Sequence, residues 1–101
     1  MASVTPPGLA YEVEHDRLNR RFKARVSGHD ALLEYTIRGK RMRITHTEVP
    51  EPIAGRRIAA ELTKVALRFA REQGYKVIPA CAYAEAFLDR HHDEYQDLLV
   101  G

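Results

Sequence analysis

The stretch Met42-Arg43-Ile44-Thr45-His46-Thr47-Glu48-Val49-Pro50, then Ala54-Gly55-Arg56-Arg57-Ile58-Ala59-Ala60, then Lys76-Val77-Ile78-Pro79-Ala80-Cys81, decides the fold. It reads as a strand, a basic helix N-terminus, a helix and a second strand. Met42, Ile44 and His46 fall on one face of an extended segment that runs to about Val49, where Pro50 and Pro52 stop it. From about Gly55 to Gln73 the period changes: Ile58, Leu62, Val65, Ala66 and Phe69 recur at helical spacing. Gly74 supplies a C-terminal stop. Tyr75–Ile78 is a short apolar strand closed by Pro79. A long helix between two strands points to a parallel, right-handed crossover. The helix N-terminus offers unpaired N–H groups and a partial positive charge, and two arginines beside it fit an anionic ligand.

Upstream, Arg21–Ser27 alternates, with Phe22, Ala24 and Val26 on one face and Arg21, Lys23 and Arg25 on the other. Ser27-Gly28-His29-Asp30 is a turn, and Ala31–Arg38 alternates again up to a second turn at Gly39-Lys40. Three strands with short loops make an antiparallel meander. Met1–Ala10 contains Pro6, Pro7 and Gly8, lacks periodicity and is expected to be a flexible tail. Downstream, Ala82–Arg90 is a shorter helix, His91-His92-Asp93 interrupts it, and Glu94–Leu99 adds a final turn. The predicted class is α+β, with a single domain over residues 11–101.

A chain of 101 residues with 45% hydrophobic content suits one modest core. No apolar run approaches the roughly 20 residues that span a bilayer, and residues 1–11 lack the apolar centre of a signal peptide. A cytoplasmic protein without membrane contact is expected. The lone Cys81 excludes an internal disulfide and a multi-thiolate zinc site. The net charge is +2, and the basic groups at Arg20-Arg21, Lys40-Arg41-Arg43 and Arg56-Arg57 lack interleaved aromatics. This pattern argues against nucleic acid and for a local anion site. His91-His92 suggests a metal at first sight, but adjacent helical histidines diverge and no third ligand is evident, so no metal is expected.

The order of elements, His46-Thr47-Glu48-Val49-Pro50, the basic helix opening, Lys76–Cys81 and the closing Glu94-Tyr95 together resemble the GNAT superfamily of N-acetyltransferases. The likeness covers roughly residues 22–99 and is to the short, single-domain group that lacks the N-terminal helices of longer members. It implies a truncated GNAT-like fold: a three-stranded meander, helix, parallel strand and short C-terminal helix. It also implies acetyl-CoA as cofactor, with an amine on a protein or small molecule as acceptor. The superfamily's Gln/Arg-x-x-Gly-x-Gly/Ala signature falls on Ala54–Ala59. Ala59 matches its last position, and Arg57 stands where the central glycine would be. The resemblance assigns cofactor contacts to Thr47, Val49, Gly55, Arg56, Arg57, Ile58 and Ala59. Backbone N–H groups near Thr47 and Val49 would face the pantetheine and the acetyl oxygen.

Three residues are candidates for chemistry. Cys81, just past a strand end, reads as an acyl-carrying nucleophile, a general acid or a packed core thiol. Tyr83 reads as the acid that protonates the CoA thiolate, or as a core or rim aromatic. His46 reads as a general base for the amine, or as a structural histidine fixing its strand. The missing helices and the altered signature keep open a second function, a non-catalytic acyl-CoA-binding or regulatory module. A monomer or weak homodimer is expected.

Overall fold

The structure is a computed structural model and describes residues 2–99. The expected domain end at Gly101 lies outside them. The strands are β1 (Ala2–Ser3), β2 (Val13–Asp16), β3 (Arg21–Val26), β4 (His29–Arg38) and β5 (Arg41–Glu48). After a 3-10 turn at Glu51–Ile53 come α1 (Ile58–Gln73), β6 (Lys76–Pro79), α2 (Ala82–Arg90), α3 (His92–Tyr95) and a last 3-10 turn at Gln96–Leu98. They form a six-stranded sheet in the order β1-β2-β3-β4-β5-β6, antiparallel except for the parallel pair β5 and β6. The expected α+β order and its single parallel crossover are present.

Among the described residues only one face of the sheet is covered. Val13, Phe22, Ala24, Leu33, Met42, Ile44 and Val77 alternate along their strands and are fully buried. Against them α1 lays Ile58, Leu62, Val65 and Ala66, at the spacing read from the sequence. Removing the Leu62 side chain would cost about 2–5 kcal/mol, the usual range for a buried leucine. The opposite face is polar and unprotected by any helix among the described residues. Gly74, at φ 75°, closes α1 with its N–H bonded to Ala70 and Arg71 carbonyls.

Four expectations need correction. Residues 1–10 are not a loose tail throughout. Ala2 and Ser3 pair with His15 and Glu14, and Thr5 exchanges hydrogen bonds with the Val13 backbone. The edge of β2 offers unpaired backbone groups, which this segment satisfies before Pro6 and Pro7 end the pairing. Second, β2 extends the meander beyond three strands. Its inward histidine hides the alternation: His15 is 4% exposed, stacked on Phe22 at 4.0 Å between ring centroids and bonded through Nε2 to Tyr35 Oη at 2.5 Å. Third, the helix begins at Ile58, not Gly55, because Gly55 (φ 81°) and Arg57 (φ 60°) are left-handed.

The fourth concerns β5. Tyr35 faces Ile44 and Glu34 faces His46, so Thr45 is an extra residue in a β-bulge. The bulge reverses the alternation. Met42, Ile44 and the half-buried Thr47 point to the core, while His46 and Glu48 point to the open face. His46 therefore does not share a face with Met42 and Ile44.

Candidate functional site

The parallel ladder of β5 and β6 runs from Arg41 opposite Lys76 to Ile44 opposite Pro79. The Ala80 N–H adds one more bond, to the Ile44 carbonyl at 2.8 Å. Pro79, expected to stop the strand after Ile78, thus lies inside the pairing, which runs one step past it. Beyond it the strands part. The bulge turns β5, which continues to Glu48 paired with β4 alone, while β6 turns at Ala80 and Cys81 into α2. Thr47 Oγ1 and Cys81 Sγ face each other across this parting at 3.7 Å. Cys81 is half-buried and is the N-cap residue of α2, its carbonyl accepting the Glu85 N–H at 3.0 Å. Val49, the last residue before Pro50, is half-buried against the core.

Beside the parting stands the N-terminus of α1. No side chain among the described residues caps it, and the Glu61 N–H closes the first turn onto the Arg57 carbonyl at 3.1 Å. The N–H groups of Ile58, Ala59 and Ala60 precede that first intrahelical bond, so they are available to an anion. The Ile58 side chain itself is core, 1% exposed. Gly55 and Arg57 turn the chain into the helix with two positive φ angles. Arginine in that conformation costs about 1–2 kcal/mol relative to glycine. Arg56 points elsewhere: its Nη1 donates to Ser27 Oγ at 3.3 Å, in the β3–β4 turn.

A groove of about 420 Å³ runs between α1 and α2. Arg57, Glu61 and Lys64 line one wall, with Lys64 paired to Glu61 at 3.3 Å, and Tyr83, Phe87, Arg90 and His91 line the other. Tyr83 is 37% exposed, stacked on Phe87 at 6.3 Å. Partial burial raises its phenol pKa, against an opposing pull from Arg90, so the hydroxyl keeps its proton at neutral pH. The groove unites Arg57, Lys64 and Arg90, one carboxylate, Glu61, and two aromatic rings next to an uncapped helix end. That arrangement suits an elongated ligand with phosphates and a flat ring.

The fold places Thr47 against Cys81, and Arg57 across one groove from Tyr83. His46 lies on the other side of β5, its Nε2 paired with Glu48 Oε1 at 3.2 Å. Lys64, Phe87 and Arg90 escaped the reading of the sequence. Their signal was there: Arg57, Glu61 and Lys64 form one helical stripe, and Tyr83, Phe87 and Arg90 form another. At the C-terminus, His91 and His92 lie near single carboxylates, Glu94 at 4.0 Å and Asp93 at 3.9 Å.

A sequence model of the family described as GCN5-related N-acetyl-transferase matches residues 21–98. The chain is 43% identical over 96 residues to the protein NATD1 of Mus musculus, covering 87% of each chain. It is 43% identical over 84 residues to NATD1 of Homo sapiens, covering 80% of this chain and 74% of that one. A solution structure of a GCN5-like protein from Staphylococcus aureus superposes with a TM-score of 0.71 at 26% identity, over 89% of this chain and 88% of that one. The chain belongs to the GCN5-related N-acetyltransferase family.

Proposed function

We propose that the protein binds acetyl-CoA at the parting of β5 and β6 and transfers its acetyl group to an amine. The observation that carries this reading is the Thr47–Cys81 contact, at a point where two parallel strands separate beside an uncapped, basic helix N-terminus. Ligands in such sheets gather beyond the carboxyl ends of the strands.

Acetyl-CoA supplies an activated thioester. Arg57, Lys64 and the N–H groups of Ile58 and Ala59 hold the phosphates, and Gly55 gives the loop its turn. Tyr83 and Phe87 flank the pantetheine arm, with Tyr83, two residues past Cys81, on the side of the thioester. After the bulge, the backbone of Thr47 points away from β4 and into the gap, with Val49 two residues on. Its N–H binds the acetyl oxygen, a donor of a kind that contributes about 2.7–4 kcal/mol to the barrier. Cys81 flanks the thioester.

The acceptor approaches from the open face, where His46 donates its Nε2–H to Glu48 and takes the proton of the attacking amine on Nδ1. The new C–N bond forms, the C–S bond breaks, and the Tyr83 hydroxyl returns a proton to the departing sulfur. Arg56, tethered to Ser27, adds positive charge to the loop.

The test is release of free CoA thiol from acetyl-CoA with a panel of amines: free lysine, polyamines, lysine-containing peptides and peptides with free N-termini. Thiol release that depends on one amine class supports acetyl transfer. Tight CoA binding without turnover on any amine would instead support the non-catalytic acyl-CoA module.

A further inference from the structure

The open face of the sheet carries a second basic site, at the end opposite the parting strands. A groove of about 590 Å³ there is lined by Arg20, Arg38, Arg41 and Arg43, with Thr36 and Ile78. Pairing registers align its charges. Arg38 stands opposite Arg41, and Arg41 stands opposite Lys76, so three cations share one rung across β4, β5 and β6. The next rung holds Thr36, Arg43 and Ile78. Like charges on facing strand positions destabilise a sheet.

Elsewhere on this face two arginines lie beside carboxylates. Arg25 pairs with Asp30 at 3.2 Å, and Arg21 lies 3.9 Å from Asp16. Among the described residues no carboxylate lies within salt-bridge distance of Arg20, Arg38, Arg41 or Arg43. Arg20 adds an independent sign. It holds a left-handed backbone, φ 54°, at a turn position that asparagine or glycine would fill with less strain. Strain and repulsion thus converge on one patch of guanidinium groups.

We propose that this groove binds an acidic peptide segment, whose carboxylates pair with the four arginines. Guanidinium forks match carboxylates in bidentate geometry. The groove is short, no aromatic ring lines it, and the carboxylates of Asp16 and Asp30 lie farther along the same face. These features disfavour a nucleic acid, which needs stacking rings or a continuous basic track. The site is independent of the acetyl-CoA reading.

The experiment is fluorescence anisotropy of a labelled oligo-glutamate peptide, with a labelled DNA duplex in parallel, at about physiological ionic strength. The wild-type protein should bind the peptide, and the double variant Arg38→Gln/Arg41→Gln should lose at least about tenfold in affinity. That variant should also melt at a higher temperature in low salt, because the cation rung is relieved. Arg20→Gly should likewise weaken the peptide while stabilising the fold. Arg25→Gln, which removes an arginine already paired, should leave affinity unchanged. Absence of peptide binding, an equal loss in Arg25→Gln, or tighter binding of the duplex through the same arginines would overturn the proposal.

Discussion

Thr47 Oγ1 sits 3.7 Å from Cys81 Sγ, joining the far end of β5 to the first turn of α2 at the point where the sheet opens. The two residues are 34 positions apart in sequence, and a single β-bulge at Thr45 makes their meeting possible. Without the extra residue, His46 would face inward and Thr47 would face the open side.

A ligand in the gap should therefore cover the thiol. Alkylation of Cys81 is expected to slow under saturating CoA. Cys81→Ala should lower turnover more than it lowers CoA affinity. Unprotected alkylation would make Cys81 a core thiol only.

Arg57 separates stability from binding. Arg57→Gly relieves a left-handed arginine and should stabilise the fold by up to about 1 kcal/mol. The same change removes a guanidinium from the groove and should weaken CoA by roughly 1.5–3 kcal/mol, the range for a charge-assisted hydrogen bond. Calorimetry and thermal melts read the two effects separately. Tighter CoA binding in the variant would mean that Arg57 obstructs the phosphates.

Tyr83 is assigned a proton to give. Tyr83→Phe keeps the stacking on Phe87 and should lower kcat by about a hundredfold or more, the scale of general acid catalysis, with CoA affinity nearly unchanged. Equal losses in kcat and affinity would reduce Tyr83 to a groove wall.

Stability should depend on pH through His15. Burial, with help from the Arg17 charge, pushes its imidazole down to about 4 from an ordinary 6.5. Between these values the unfolded chain takes up a proton that the folded protein refuses, so stability is complete above about pH 6.5 and falls as the pH drops. At 1.36 kcal/mol per pH unit, the loss approaches about 3 kcal/mol near pH 4. Thermal melts of His15→Phe should show a flatter profile. An unchanged slope would place the linkage on other groups.

Much of this was legible in the sequence because periodicity reports burial. The Ile58–Phe69 stripe marks α1, the alternation at Phe22–Val26 and Leu33–Ile37 marks β3 and β4, and a helix between strands implies the crossover. The failures have physical causes. His15 occupies an apolar position because Tyr35 satisfies its nitrogen, so β2 lacks the usual pattern. The bulge at Thr45 inserts one residue that no periodicity announces, and it reversed the facing of His46. The groove required two helices to be laid side by side, and that depends on packing angles beyond any single stripe.

The central claim is best tested by titrating isotope-labelled protein with CoA and following backbone amide resonances. The account expects the largest shifts at Thr47, Ile58, Ala59 and Cys81, with smaller ones along Lys64 and Phe87 and none at Arg38 or Arg41. An absence of shifts up to about 1 mM CoA, or shifts confined to the open face, would contradict it.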